Sequence, residues 1–108
     1  MKRIAELIAI AAATALLAGC AGSFRSDIQF RGYVDSLQLS RLSVAAASSK
    51  LSSKGFNCQA PRRPLPQGSV ECNKGIGSQI QTVELSPDQN DANRSVVAAY
   101  LTFVLAQA

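Results

Sequence analysis

The chain has 108 residues, 47% of them hydrophobic and 17% charged, with three cysteines, no histidine and no tryptophan. That length accommodates one small domain and excludes a multidomain enzyme. Its formal charge of +4 hides two unlike stretches that meet near residue 22.

Lys2, Arg3 and Glu6 are followed by no charge until Arg25, and Leu7, Ile8, Ile10, Leu16 and Leu17 stand among alanines. A basic start before an apolar stretch is the layout of a secretory leader. The run from Leu7 to Gly22 has 16 residues, short of the ~20 that a membrane-spanning helix needs. As a buried helix it would require protein on every side, which so small a chain does not supply.

The run closes on Leu17-Ala18-Gly19-Cys20, which resembles the lipobox of bacterial lipoproteins. The resemblance covers residues 1–21 and implies nothing about the fold beyond them. It implies cleavage after Gly19, a thioether-linked diacylglycerol and an amide-linked acyl chain on Cys20, and attachment to a membrane. Small residues at Ala18 and Gly19 suit close approach of the processing enzymes, and a thiol suits acylation as a nucleophile. Several acyl chains bury many CH₂ groups at ~0.8 kcal/mol each, so such an anchor is close to permanent. Glu6 departs from the pattern, since an acidic residue beside the apolar stretch is uncommon in these leaders. Ala21 stands where an aspartate favours retention in the inner membrane, so the resemblance implies the outer membrane, facing the periplasm.

On this division residues 1–19 are a signal peptide, 20–27 a lipid-anchored tether and 28–108 a single domain. From Cys20 onward nine basic and six acidic side chains leave a balance near +3. So mild a charge reads first as solvated surface and second as attraction to anionic lipid, and no nucleic-acid partner is expected.

Ile28, Phe30 and Val34 alternate with Gln29 and Arg31 around Gly32, which predicts a short strand; a helix already running through Tyr33 and Leu37 is the alternative. From Ser36 the period changes. Leu37, Arg41, Val44, Ala47 and Leu51 recur at three to four positions, predicting one helix from Ser36 to Lys54. Gly55 beyond its end, with Phe56 able to pack back on Leu51, predicts a Schellman terminus. Phe56-Asn57-Cys58 opens a strand. Pro61 to Gly68, with Arg62, Arg63 and three prolines, is a connection that cannot occupy a central ladder.

Val70 and Cys72 begin a second strand that ends before a turn at Gly75–Ser78. Gln79 to Leu85 forms a third, with Val83 and Leu85 on one side and Ile80, Thr82 and Glu84 on the other. Ser86 to Arg94 is a polar loop. Val96 to Leu105 is ambiguous in period: its β-branched and aromatic residues favour a strand, its alanines and a capping Asn93 a helix, and the strand is preferred. The predicted whole is an α+β, two-layer domain, one helix packed on a small antiparallel sheet of four or five strands, with the C-terminal strand a candidate for the centre.

With Cys20 assigned to lipid, Cys58 and Cys72 remain as a pair in a compartment where disulfides form, and one disulfide is expected. A metal or redox site fits less well, because there is no histidine and no C-x-x-C spacing. Asp27, Asp35, Glu71 and Glu84 fall in separate elements, and only Glu71 and Glu84 have a chance of facing each other across strands. No catalytic residue, metal ligand or cofactor is assigned, and a non-catalytic role is expected. Two classes of function remain. One is an accessory or scaffolding lipoprotein that binds another envelope protein, with Arg62, Arg63, Tyr33 and Tyr100 as candidate contacts, joined by Phe56 and Phe103 if exposed. The other is a small-ligand or lipid-binding module using a groove between helix and sheet.

Overall fold

A computed structural model describes residues 22–104; the predicted leader, Cys20 and residues 105–108 lie outside the described residues. Ser26 opens helix α1 (Asp27–Ser36), its Oγ accepting from the Gln29 N–H at 3.1 Å with Asp27 in the first turn. Phe30 and Val34, four residues apart, are buried together, whereas Ile28 is 79% exposed. The strand predicted for this stretch is therefore not formed. Ile28 and Phe30 would share one face of a strand, but they lie on nearly opposite sides of a helix, which lets Phe30, Val34 and then Leu37 enter the core as a single stripe.

The helix predicted from Ser36 to Lys54 is also corrected. Gln38 adopts a left-handed backbone with φ 55°, a 3₁₀ turn spans Leu39–Arg41, and only then does α2 (Val44–Ser53) begin. Ser43 caps α2, its Oγ accepting from the Ala46 N–H at 3.2 Å. A serine offers the backbone an alternative partner, so it favours a helix start over a helix interior. The Lys50 ammonium donates to the Leu37 carbonyl at 2.8 Å and ties α2 back to the end of α1. The far end of α2 follows the sequence prediction. Gly55, at φ 94°, donates to the Ser52 carbonyl, and Phe56 N–H donates to the Leu51 carbonyl, both at 3.1 Å.

Strands β1 (Asn57–Gln59), β2 (Val70–Ile76), β3 (Gln79–Pro87) and β4 (Ser95–Phe103) form one antiparallel sheet in the order β1-β2-β3-β4. Gly75 and Ile76, assigned to a turn from sequence, belong to β2. The turn itself is Gly77–Ser78, with Gly77 at φ 60°, the backbone that a two-residue hairpin demands of its first central residue. The C-terminal segment is a strand, but it lies at an edge and not at the centre. Its open edge is partly satisfied by α1: Arg31 Nε donates to the Ala99 carbonyl at 3.1 Å, and an Asp27 carboxylate oxygen accepts from the Leu101 N–H at 2.8 Å.

Cys72, Val83, Leu85 and Ala99 face the helices and close the core with Phe30, Val34, Leu39, Ala47 and Leu51. Two helices, not one, cover this face. The break at Gln38 lets α1 pack on β4 while α2 packs across β1, β2 and β3. One straight helix presents one stripe; two short helices reach the sheet from edge to edge.

Candidate functional site

The period of a strand sends Glu71 and Glu84 to the sheet face opposite the helices, and the register sets them directly across from each other. Both are almost fully buried, at 2% and 3% exposure. Two buried carboxylates side by side would repel unless each had a cation, and the connection from residue 60 to 69 brings two. Arg62 Nε meets a Glu71 oxygen at 2.9 Å, and Arg63 meets Glu84 through Nε at 2.7 Å and Nη2 at 2.6 Å. The second pair is a two-point guanidinium–carboxylate contact.

Neutral donors complete the network. Asn73 Nδ2 donates to Glu71 at 2.8 Å, Thr82 Oγ1 donates to Asn73 at 2.7 Å, and the Tyr100 hydroxyl donates to Glu84 at 3.1 Å. The Asn73 hydrogen bond, aided by Arg62, holds the Glu71 carboxyl below the usual carboxylate range against the cost of burial. The Arg63 hydrogen bonds, aided by Tyr100 and the nearby charge, do the same for Glu84. Burial, together with the hydrogen bond to ionised Glu84, raises the Tyr100 phenol. The arrangement stabilises charge in place. It offers Glu84 as an acceptor already engaged, not as a general base waiting for a proton.

Of the four residues predicted as partner contacts, Arg62, Arg63 and Tyr100 converge on this face, and Tyr33 does not. Tyr33 lies on the helical side, its ring 5.3 Å from that of Phe24, which in turn is 5.2 Å from Phe30. Phe56 is buried in the core, and Phe103 is 57% exposed. The arginines keep 69% and 61% of their side-chain surface exposed although their carboxylate partners are buried. Between Arg63, Tyr100 and α1 a depression of about 340 Å³ opens along the edge of β4, floored by Val97–Tyr100 and flanked by Arg31 and Asp35.

A second depression, of about 480 Å³, is walled by Phe24, Tyr33 and Phe56 with Lys54 and Lys74 at its rim. Here the chain preceding α1 is fastened. Gln81 Nε2 donates to the Gly22 carbonyl at 2.7 Å, and Gln79 both accepts from the Phe24 N–H at 3.0 Å and donates to its carbonyl at 2.6 Å. The two glutamines sit on the core face of β3, where sequence reasoning places apolar residues. Their two-residue spacing from Val83 and Leu85, which puts all four on one face of β3, was the available signal: a buried amide demands a backbone partner.

Cys58 and Cys72 stand directly opposite each other in β1 and β2 and form the predicted disulfide. It closes the loop that carries Arg62 and Arg63. Among the described residues no group of three His, Cys, Asp or Glu side chains is placed to hold a metal ion. Comparison with protein-family models, curated proteins and solved structures gave no match to this chain.

Proposed function

We propose that the chain is a non-catalytic lipoprotein of the bacterial envelope, anchored through Cys20 to the outer membrane on its periplasmic side, and that its domain is an accessory or scaffolding factor binding another envelope protein. The observation that carries the binding reading is the stretch of the β4 edge around Val97, short of the Arg31 and Asp27 contacts of α1 and beside Arg63 and Tyr100. An exposed strand edge takes up an extended segment of a partner through main-chain hydrogen bonds, and side chains flanking the edge select it. Arg63, with its position fixed by Glu84, presents its outer surface to such a segment at little further cost in side-chain freedom. The Cys58–Cys72 disulfide supports an exported location.

The test is photo-crosslinking in intact membranes from Ala98, with Cys20→Ser as the anchor control. Recovery of one envelope protein from the anchored chain, abolished by Arg63→Glu, is the expected result. No adduct from Ala98 in the acylated chain would reject the edge as the binding surface. The aromatic-walled depression favours a second reading, a small-ligand or lipid-binding module, because its size falls within the range of ligand pockets. Native mass spectrometry of a monomer retaining a stoichiometric small molecule would replace the first reading by the second.

A further inference from the structure

The two ends of the sheet differ in polarity and charge. One end gathers the Gly77–Ser78 turn, the last residues of β4 and the first turn of α1, joined by the bond from Val104 N–H to the Ser78 carbonyl at 2.7 Å and by the Asp27–Leu101 contact. Among the described residues, three of the four large apolar side chains that are exposed lie here: Ile28 at 79%, Phe103 at 57% and Val104 at 52%. Lys54 and Lys74 rim the depression at this end, and Arg25 adjoins Phe24 on its wall. Asp27, the nearby acid, is engaged by the β4 backbone. The opposite end, past Pro87 and Ser95, carries Asp88 and Asp91 together with Arg94 in one loop, and Arg41 in the 3₁₀ turn whose Leu39 carbonyl accepts from Ser95, so its charges nearly cancel.

The described chain also begins at the apolar, basic end. Gly22 is held there by Gln81, and Cys20 is two residues upstream. We propose that this end docks on an anionic phospholipid bilayer, with Ile28, Phe103 and Val104 entering the boundary between headgroups and acyl chains while Lys54, Lys74 and Arg25 meet lipid phosphates. The inference deepens the lipoprotein reading and rests on it for the anchor. Two features on the molecule select this occupant: the cations complement phosphate, and the fastened Gly22–Phe24 segment leaves too little chain before Cys20 to hold this end far from the acyl groups. Docking so leaves the charge-balanced end and the depression along β4 turned toward the periplasm.

The chain contains no tryptophan, so Phe103→Trp introduces a single indole at the docking end and Val96→Trp a single indole at the other end of β4, roughly 23 Å away at the rise of an extended strand. Each acylated protein is reconstituted in vesicles of equal parts phosphatidylcholine and phosphatidylglycerol whose acyl chains are brominated. Bromolipid is expected to quench the Phe103→Trp protein roughly threefold more than the Val96→Trp protein, and the contrast to shrink when phosphatidylglycerol is omitted or Lys54→Glu and Lys74→Glu are combined. Equal quenching at the two sites overturns the proposal. So does shielding of the Phe103→Trp indole from both bromolipid and aqueous acrylamide, which would mean that a second copy or residues 105–108 cover this end. The acyl mass on Cys20 is read on the same samples. Its absence rejects the anchor, and the same quenching contrast with vesicles added to the unacylated protein then decides docking independently.

Discussion

Glu71 and Glu84 are buried carboxylates whose folded-state pKa values lie below their unfolded ones. Groups shifted in this direction add stability above the unfolded carboxylate value of about 4.3, and that stability is lost as the pH falls through the folded values. The urea midpoint should therefore drop between neutral pH and about pH 3, and Glu84→Gln should flatten this acid limb while lowering the midpoint at neutral pH, where Arg63 loses its charged partner. An acid limb of unchanged slope in Glu84→Gln would remove Glu84 from the account. At this scale little of the network was legible in the sequence. Glu71 and Glu84 stood out only as a pair with a chance of facing, since alternation fixes the face of a strand and not its register, and their cations were hidden, because Arg62 and Arg63 sit in a proline-rich connection without a period, and only its path over the sheet brings them to the carboxylates.

At the level of elements, the end of α2 was written locally: Lys54, Gly55 and Phe56 carry the terminating signal, and the backbone bonds follow it. The break between α1 and α2 was hidden, since Leu37, Val44, Ala47 and Leu51 fit one continuous helical period even though Gln38 interrupts it. Gln38→Gly separates the two arrangements by sign. In the left-handed backbone at Gln38 glycine relieves strain and should raise stability by up to ~1 kcal/mol. In a continuous helix the same change would lower it by a similar amount. A fall in the thermal or urea midpoint of Gln38→Gly would contradict the observed break. The strand expected at Ile28–Val34 fails for a related reason: seven residues are too few to separate the two periods, and burial of Phe30 with Val34, leaving Ile28 outside, decides for the helix.

For the molecule as a whole, the disulfide joins what the chain separates. It pins β1 to β2 across the connection that roofs the carboxylate face, so the core and the ion pairs depend on the same closure. Replacing both Cys58 and Cys72 by serine reopens a loop of about 15 residues and should cost on the order of 3 kcal/mol, measured as a lower urea midpoint against the oxidised protein. An unchanged midpoint would show that the sheet and its roof hold without it. For a domain this small the loss is a large fraction of total stability.

The sequence by itself determined the α+β composition, the end of α2 at Gly55 and the pairing of Cys58 with Cys72, because each depends on neighbours within a few residues or on elimination among three cysteines. Tertiary structure alone decided that two helices share one sheet face, that β4 lies at an edge, that Arg62 and Arg63 neutralise buried glutamates, and that apolar and basic side chains collect where the described chain begins. Those outcomes compare the burial and charge pairing of residues distant along the chain, and local propensity does not contain that comparison.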